Sequence, residues 1–140
     1  MKSILFLCTG NSCRSQMAHG FADALLKDQF TSYSAGIESH GLNPSAVKVM
    51  EEVGIDISRH KSQTLDEFDS NQFDYVVAVC EHAAANCPEF SAATNVIMRQ
   101  FDDPPKLAQH AETPEEALSY YRQVRDEIEN WIKSLPAQIN

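Results

Sequence analysis

The sequence has few basic residues and no long apolar run, and both absences narrow the functions that it can have. Eleven lysines and arginines stand against 20 aspartates and glutamates, which gives a formal net charge of −9. A chain with this acidic excess is a poor partner for nucleic acid or an anionic membrane surface, and we expect neither to bind. The apolar run at the N-terminus is too short for a signal-peptide core, and no run is long enough to span a bilayer. We therefore expect a cytoplasmic location.

Sequence signatures of nucleotide binding, of repeats and of metal sites are missing as well. No Gly-Lys-Ser/Thr triplet follows the first loop, and the glycine spacing of the dinucleotide fingerprint is absent. Because there is no internal repeat, linker or low-complexity segment, we expect residues 1–140 to form one domain and the protein to be a monomer. The five histidines do not cluster along the sequence, and the four cysteines lack zinc-knuckle spacing, so we expect no metal site.

Residues 8–15, with the sequence CTGNSCRS, are the stretch that carries the chemistry. A short apolar run leads into them and a helix predicted over residues 16–26 leads out, with Ser15 as its expected cap. Small or turn-tolerant residues let the backbone curl and point several N–H groups inward, a geometry that binds a tetrahedral oxyanion. Arg14 can add a two-point charged contact. Cys8 lies at the floor of this cradle, where positive potential favours the nucleophilic thiolate.

The whole loop is expected to surround the anion. Asn11 and Ser15 are expected to add side-chain donors to the Cys8 thiolate, and we interpret Cys13 as a packing residue. Taken alone, a cysteine at a strand end is usually a small core residue and an arginine after a turn is usually solvated; their combination favours a site. The predicted oxyanion-binding residues are Thr9, Gly10, Asn11, Ser12, Cys13, Arg14 and Ser15.

Short apolar runs alternate with helical patterns along the chain, which predicts an α/β fold with a parallel sheet covered on both faces. Asn43 and Pro44 form a helix start, and Thr64 with Glu67 forms a capping box. The predicted strands cover residues 3–7, 31–35, 73–79 and 95–98. The predicted helices cover residues 16–26, 44–54, 65–70, 81–86 and 113 to about 134, the last with a buried face of Leu118, Tyr121, Val124, Ile128, Trp131 and Leu135.

The loop Cys8-x5-Arg14-Ser15 resembles the phosphate loop of the low-molecular-weight tyrosine phosphatases. The fuller string CTGNSCRSQMA resembles their relatives, the thioredoxin-coupled arsenate reductases. The resemblance continues through YSAGIESHGLNP, GIDIS, the Cys80 and Cys87 pair, FDDP and VRDEI, so it covers nearly the whole chain. It implies a three-layer sandwich whose four-stranded parallel sheet has the order 2-1-3-4, with helices on both faces. That order reverses beside the phosphate loop, where ligands bind in such sheets.

Two further cysteines form a second group. Cys80 ends the third strand as Cys8 ends the first, and neighbouring strands lie about 4.8 Å apart, so the two thiols could meet. Seven helical residues rise about 10 Å, whereas a disulfide needs Cα atoms within roughly 7 Å. A Cys80–Cys87 bond would therefore unwind a helix over residues 81–87. Alone, Cys80 could equally be a core residue and Cys87 an incidental neighbour of Pro88.

The string Phe101-Asp102-Asp103-Pro104 is expected to contain a carboxylic acid that donates a proton at the phosphate loop. Asp-Pro is common in turns and is structural in most proteins. Beside a phosphate loop, however, a carboxylic acid on a rigid turn is the expected proton donor to a departing oxygen. The resemblance places this role on Asp103 rather than on Asp102.

Three functions fit these residues. The first is an arsenate reductase, in which Cys8 attacks arsenate and Cys80 and Cys87 carry the electrons out. The others are a phosphatase that uses only Cys8, Arg14 and Asp103, and a non-enzymatic thiol sensor or anion-binding module. The second cysteine pair favours the reductase, because a phosphatase does not require it. The family's tyrosine phosphatases carry aromatic residues after Asp-Pro, whereas Pro105 and Lys106 follow here. The resemblance to the reductases implies arsenate as substrate, no bound cofactor, thioredoxin as electron donor and a role in arsenic detoxification.

Some arsenate reductases of this type bind a potassium ion near the loop through acidic and hydroxyl side chains. The matching positions here are His19, Lys61 and Gln63. None of them is a carboxylate, and Lys61 adds a positive charge. We expect no potassium site.

Overall fold

The computed structural model describes residues 1–69, 72–87, 90 and 92–139, and a four-stranded parallel sheet forms its centre. The strands stand in the order β2-β1-β3-β4, as the resemblance implied, and the α/β sandwich is confirmed. Side chains 4–7 of the first strand are all fully buried, and since alternate residues point to opposite faces, both faces of the sheet are covered. The strands are β1 Lys2–Cys8, β2 Phe30–Gly36, β3 Tyr75–Ala78 and β4 Asn95–Met98.

The helices agree with the sequence prediction in number and order, with one addition. The structure has α1 Arg14–Leu25, α2 Pro44–Glu52, a 3-10 turn Leu65–Glu67, α3 Glu81–Ala85, α4 Pro104–Leu107 and α5 Pro114–Ile139. The unpredicted helix is α4, a single turn that two prolines begin. The capping box at Thr64 is present, but only three residues become helical, and residue 70 of the predicted helix lies outside the described residues.

The start of α1 and the end of α5 differ from the prediction. Ser15 was expected to cap α1, but Cys13 is the capping residue and Ser15 is fully buried inside the first turn. The helix begins earlier because the loop closes directly onto it. The last helix passes residue 134 and includes Pro136, since the buried Leu135 keeps its final turns packed on the core.

The long helix α5 is held to α2 by both apolar and charged contacts. Its predicted buried face is correct except for Trp131, which is half-buried, while Ile132 is buried instead. Arg125, which no apolar pattern could reveal, is buried and donates to the Val49 carbonyl and to Glu52, at 3.0 and 2.9 Å. Hydrogen bonds from Arg122, and then from Arg125, hold the pKa of Glu52 at about 2. Among the described residues, no helix is both long and apolar enough to cross a membrane.

Candidate active site

The loop after β1 is shaped by the segment that follows β2. The carbonyl oxygens of Cys8, Thr9, Gly10 and Ser12 accept backbone N–H groups of residues 37, 38, 40 and 43, at 2.9–3.1 Å. Because the C=O and N–H of a planar trans peptide point in opposite directions, the amide groups of the loop turn inward. This geometry fits the predicted nest of N–H donors, and the binding of an oxyanion there stays a prediction.

Asn11 fixes the sharpest turn of the loop. It has a positive φ of 47°, which asparagine adopts more readily than most residues, and it is fully buried. Its amide donates to the Ser15 hydroxyl at 2.8 Å, and its carbonyl accepts from Gln16 and from the Gln63 N–H at 3.0 and 2.9 Å. Asn11 and Ser15 therefore support the loop from behind.

Two glycines allow the surrounding segments to approach the loop closely. A Cβ on Gly36 would lie 2.2 Å from the Glu38 carbonyl and 2.7 Å from the Asn11 nitrogen. A Cβ on Gly10 would lie 2.2 Å from the ring of His40. A larger residue at position 36 would push the loop away from the chain that shapes it, and one at position 10 would displace the His40 side chain.

Arg14 closes the loop, and its guanidinium lies over the anion cavity. One terminal nitrogen donates to the Phe101 carbonyl at 3.0 Å and the other lies 3.7 Å from the Asp103 carboxylate. Its Nε atom is buried and has no hydrogen-bond partner among the described residues. Because buried donors are normally paired, this nitrogen indicates that a ligand oxygen belongs beside it.

The thiols of Cys8 and Cys80 meet at the floor of the loop, as the strand order implied. β1 and β3 are neighbours, and Leu7 pairs with Ala78. Cys8 comes one residue after this pair and Cys80 two residues after it, so both leave the same edge of the sheet. The two thiols lie close enough that each shifts the pKa of the other. The Thr9 hydroxyl lies 3.2 Å from the Cys80 sulfur, and the Ala83 N–H donates to it at 3.3 Å.

This arrangement places the negative charge on Cys80. Hydrogen bonds from Cys8, Thr9 and Ala83 lower the pKa of Cys80 to about 5, with the bond from Cys8 as the largest cause. The same bond, together with burial, raises the pKa of Cys8, although Arg14 opposes that change. The sequence predicted that Cys8 itself holds the charge. At neutral pH the pair therefore shares one proton, and the donors around Cys80 favour the thiolate there. That Cys8 attacks as the thiolate stays a prediction.

The cavity above the loop has a volume of about 310 Å³ and brings together the predicted residues. It is lined by Cys8, Thr9, Gly10, Ser12, Cys13, Arg14, His40, Asp103 and Pro105. Asp103 lines this cavity, whereas Asp102 is exposed and lines only an adjoining groove of about 680 Å³. The geometry therefore agrees with the choice of Asp103 as the acid.

Cys87 lies on the far side of the short helix α3. Cys80 caps the start of that helix, and Cys87 follows its final cap, Asn86. Only Ala83 of the helix is buried, so few apolar contacts hold it on the sheet. Burial raises the pKa of the half-buried Cys87. No described cysteine is in a disulfide.

Comparison with known proteins assigns the chain to a family. A sequence profile described as low molecular weight phosphotyrosine protein phosphatase matches residues 3–140. The chain belongs to this family. An arsenate reductase of Bacillus subtilis is 51% identical over 132 residues, which cover 94% of this chain and 93% of the relative. An arsenate reductase of Halalkalibacterium halodurans is 50% identical over 133 residues, 95% of this chain and 94% of the relative.

A solved member of the same fold supports the assignment. The structure of an arsenate reductase in its phosphate-binding state superposes on this chain with a TM-score of 0.84. The two are 34% identical, and the superposition covers all of both chains.

The structure adds residues to the phosphatase-family site that the sequence patterns missed. His40 lines the cavity, donates its N–H to the Gly10 carbonyl at 2.9 Å and pairs with Glu38 at 2.7 Å. The Phe101 carbonyl positions Arg14, and no side-chain pattern could have revealed it. His40 lies in YSAGIESHGLNP, which carried the resemblance, but no motif chemistry singled it out.

The expectation that the histidines do not cluster is wrong for two of them. The rings of His19 and His60 are stacked with centroids 4.3 Å apart, because α1 and the segment after α2 meet behind the phosphate loop. His19 also contacts the Ser34 hydroxyl, and Gln63 donates its N–H to Asn11. The absence of a potassium site stays a prediction.

Because Cys8 and Cys80 share one proton, the rate at which the pair reacts with an alkylating reagent should depend on pH. The thiol pair should become reactive as the pH rises through about 5, the pKa of Cys80, whereas a free cysteine titrates near 8.5. Iodoacetamide labelling followed by peptide mass mapping measures both the rate and the labelled residue. In Cys80→Ser the step should move to higher pH. A wild-type rate that climbs only above pH 8 would contradict the shared proton.

Proposed function

We propose that this protein reduces arsenate to arsenite through a relay of Cys8, Cys80 and Cys87, with thioredoxin as the electron donor and arsenic detoxification as its role. The observation that carries the proposal is that the strand order brings the buried Cys8 and Cys80 thiols together at the floor of the loop after β1. The names of the relatives support the same substrate.

The first step is the capture of arsenate and attack by Cys8. The inward amides and Arg14 bind the oxygens of the tetrahedral anion, as the phosphate-binding state of the related structure supports. The Cys80 thiolate takes the proton of Cys8, which frees the nucleophile. Cys8 sulfur then forms a bond to arsenic, and Asp103 protonates the oxygen that leaves as water.

The second step transfers two electrons to arsenic. Cys80, after losing its proton again, attacks the sulfur of Cys8. The sulfur–arsenic bond breaks, its electron pair stays on arsenic, and arsenite leaves with arsenic reduced from As(V) to As(III). The two cysteines are oxidised to a Cys8–Cys80 disulfide, which fills the floor of the anion cavity.

The third step moves the disulfide out of the cavity. The Cys87 thiolate attacks Cys80, a Cys80–Cys87 bond forms, and Cys8 leaves as a thiolate. Helix α3 must unwind to bring these residues together. Because only one of its residues is buried, unwinding costs little free energy. The exposed disulfide is then reduced by the dithiol of thioredoxin.

A phosphomonoesterase is the alternative, since it would use the same Cys8, Arg14 and Asp103. The cavity wall after the acid argues against a phenol substrate. Pro105 lines the cavity there and Lys106 is exposed, so neither residue offers an aromatic face. A phosphatase would also leave the Cys80 thiolate without a role.

The cellular setting belongs to the same proposal. We expect the protein to act as a monomer in the cytoplasm, where thioredoxin keeps thiols reduced. No bound cofactor is required, because the electrons pass only between sulfur atoms and arsenic.

Turnover of arsenate in the presence of thioredoxin, thioredoxin reductase and NADPH tests the proposal. We expect steady NADPH oxidation that depends on arsenate and on thioredoxin, with one arsenite formed for each NADPH consumed. A parallel assay with glutaredoxin and glutathione should be much slower. If the wild-type protein shows no arsenate-dependent oxidation but hydrolyses an aryl phosphate, the phosphatase alternative is correct.

A further inference from the structure

A cluster of His19, Asp23 and His60 lies behind the phosphate loop and has no part in the proposed relay. His19 and Asp23 stand one turn apart on α1, so they project from the same face of the helix. The Nε2 atom of His19 lies 3.2 Å from the Asp23 carboxylate. His60 comes from the segment after α2 and stacks on His19 at an angle of 26°.

We propose that His19, Asp23 and His60 form a binding site for a divalent transition-metal ion. One nitrogen of each ring and one carboxylate oxygen all lie within 4.8 Å of one another. A zinc ion with nitrogen and oxygen ligands at 2.0–2.2 Å needs ligand atoms about 3.3 Å apart. The His19–Asp23 pair already has this separation, and rotation of the exposed Asp23 side chain can bring its carboxylate towards His60.

In each histidine, the ring nitrogen that would face away from the ion is within hydrogen-bond distance of a polar side chain, as in protein metal sites. His60 Nδ1 lies 2.9 Å from the side-chain oxygen of Gln16, whose amide nitrogen donates to Asn11 and to the Lys61 carbonyl. Since that oxygen can only accept, Nδ1 of His60 carries a hydrogen and Nε2 presents its lone pair. His19 Nδ1 lies 2.9 Å from the Ser34 hydroxyl. Outer hydrogen bonds of this kind orient histidines that bind metals.

The negative charge of the cluster and its exposure to solvent also fit a bound cation. Asp23 supplies a negative charge and is half exposed. A surface cavity of about 260 Å³, lined in part by Asp23 and His60, gives an ion and its remaining water ligands a route to the site. Imidazole with carboxylate favours first-row transition metals over magnesium or calcium.

Zinc titration of the full-length chain tests the site, provided that the reactive thiols are removed. Thiolates bind zinc strongly, so the background is Cys8→Ser/Cys80→Ser/Cys87→Ser, stripped with a chelator before use. Competition with a chromophoric chelator should then show one zinc ion per chain. The affinity should fall as the pH is lowered, because protons compete with zinc for the imidazoles. Zinc should also raise the unfolding temperature, since it joins α1 to the segment after α2.

Three variants in that background locate the ion. His60→Gln and Asp23→Asn should each weaken zinc binding by at least roughly 10-fold. His110→Gln, which changes an exposed histidine outside the cluster, should leave it unchanged. Asp23→Asn alters only an exposed side chain, so it decides the question even if His60→Gln does not fold. No zinc binding in that background, or equal affinity in all three variants, would overturn the proposal. Neither result bears on arsenate reduction.

Discussion

Replacing Cys87 with serine should stop the protein after a single turnover. The Cys8–Cys80 disulfide would form and release one arsenite per chain, but no thiol would remain to move it from the anion cavity. Steady turnover with thioredoxin should therefore be lost, because the trapped disulfide lies at the buried floor of the loop. Rapid quenching, arsenite quantification and peptide mass mapping measure the yield and identify the disulfide.

Cys80→Ser is the matched comparison for this experiment. It removes the thiol that attacks Cys8, so it should form no Cys8–Cys80 bond. Both variants keep the size of the side chain closely, and thermal unfolding verifies that each is folded. Continuous turnover of Cys87→Ser with thioredoxin would show that the relay uses two thiols, or an external one, in place of three.

Replacing Asp103 with asparagine should slow arsenate turnover by about 10²–10⁴-fold, the usual contribution of a general acid. The amide cannot protonate the oxygen that leaves arsenic, although it can occupy the same space in the cavity wall. The quantity to measure is the rate of formation of the Cys8–Cys80 disulfide in Cys87→Ser, since this single turnover excludes the thioredoxin steps.

Asp102→Asn serves as the control for Asp103→Asn. The two residues are adjacent, but Asp102 lines only the outer groove while Asp103 lines the anion cavity and lies 3.7 Å from Arg14. The control should retain most of the activity. If Asp102→Asn were the slower variant, the acid would have been assigned to the wrong carboxylate.

The sequence was most informative where the chemistry is local. Residues 8–15 combine a strand end, a turn and a helix start, so their pattern predicts an anion loop without knowledge of the rest of the chain. Asn43 and Pro44 likewise form the predicted cap, with the Asn43 side chain accepting N–H groups of residues 45 and 46. The meeting of Cys8 and Cys80 needed the strand order, which came from the resemblance.

Features that depend on several distant elements could not be predicted. The charge on Cys80 depends on donors from the loop after β1 and from α3, which only the fold brings together. The stacking of His19 on His60 depends on how the segment after α2 returns to α1. Arg125 was missed because its burial depends on acceptors in α2 rather than on hydrophobicity.

The bonds between the loop carbonyls and residues 37–43 have an entropic consequence. These bonds hold the loop in its curled form without any anion, so the conformational entropy of ordering the loop is lost when the chain folds. An anion then binds to donors that are already oriented, so its binding free energy is reduced little by the ordering of the backbone. Substitutions that loosen residues 37–43 should therefore weaken anion affinity, even where the altered side chain never touches the anion.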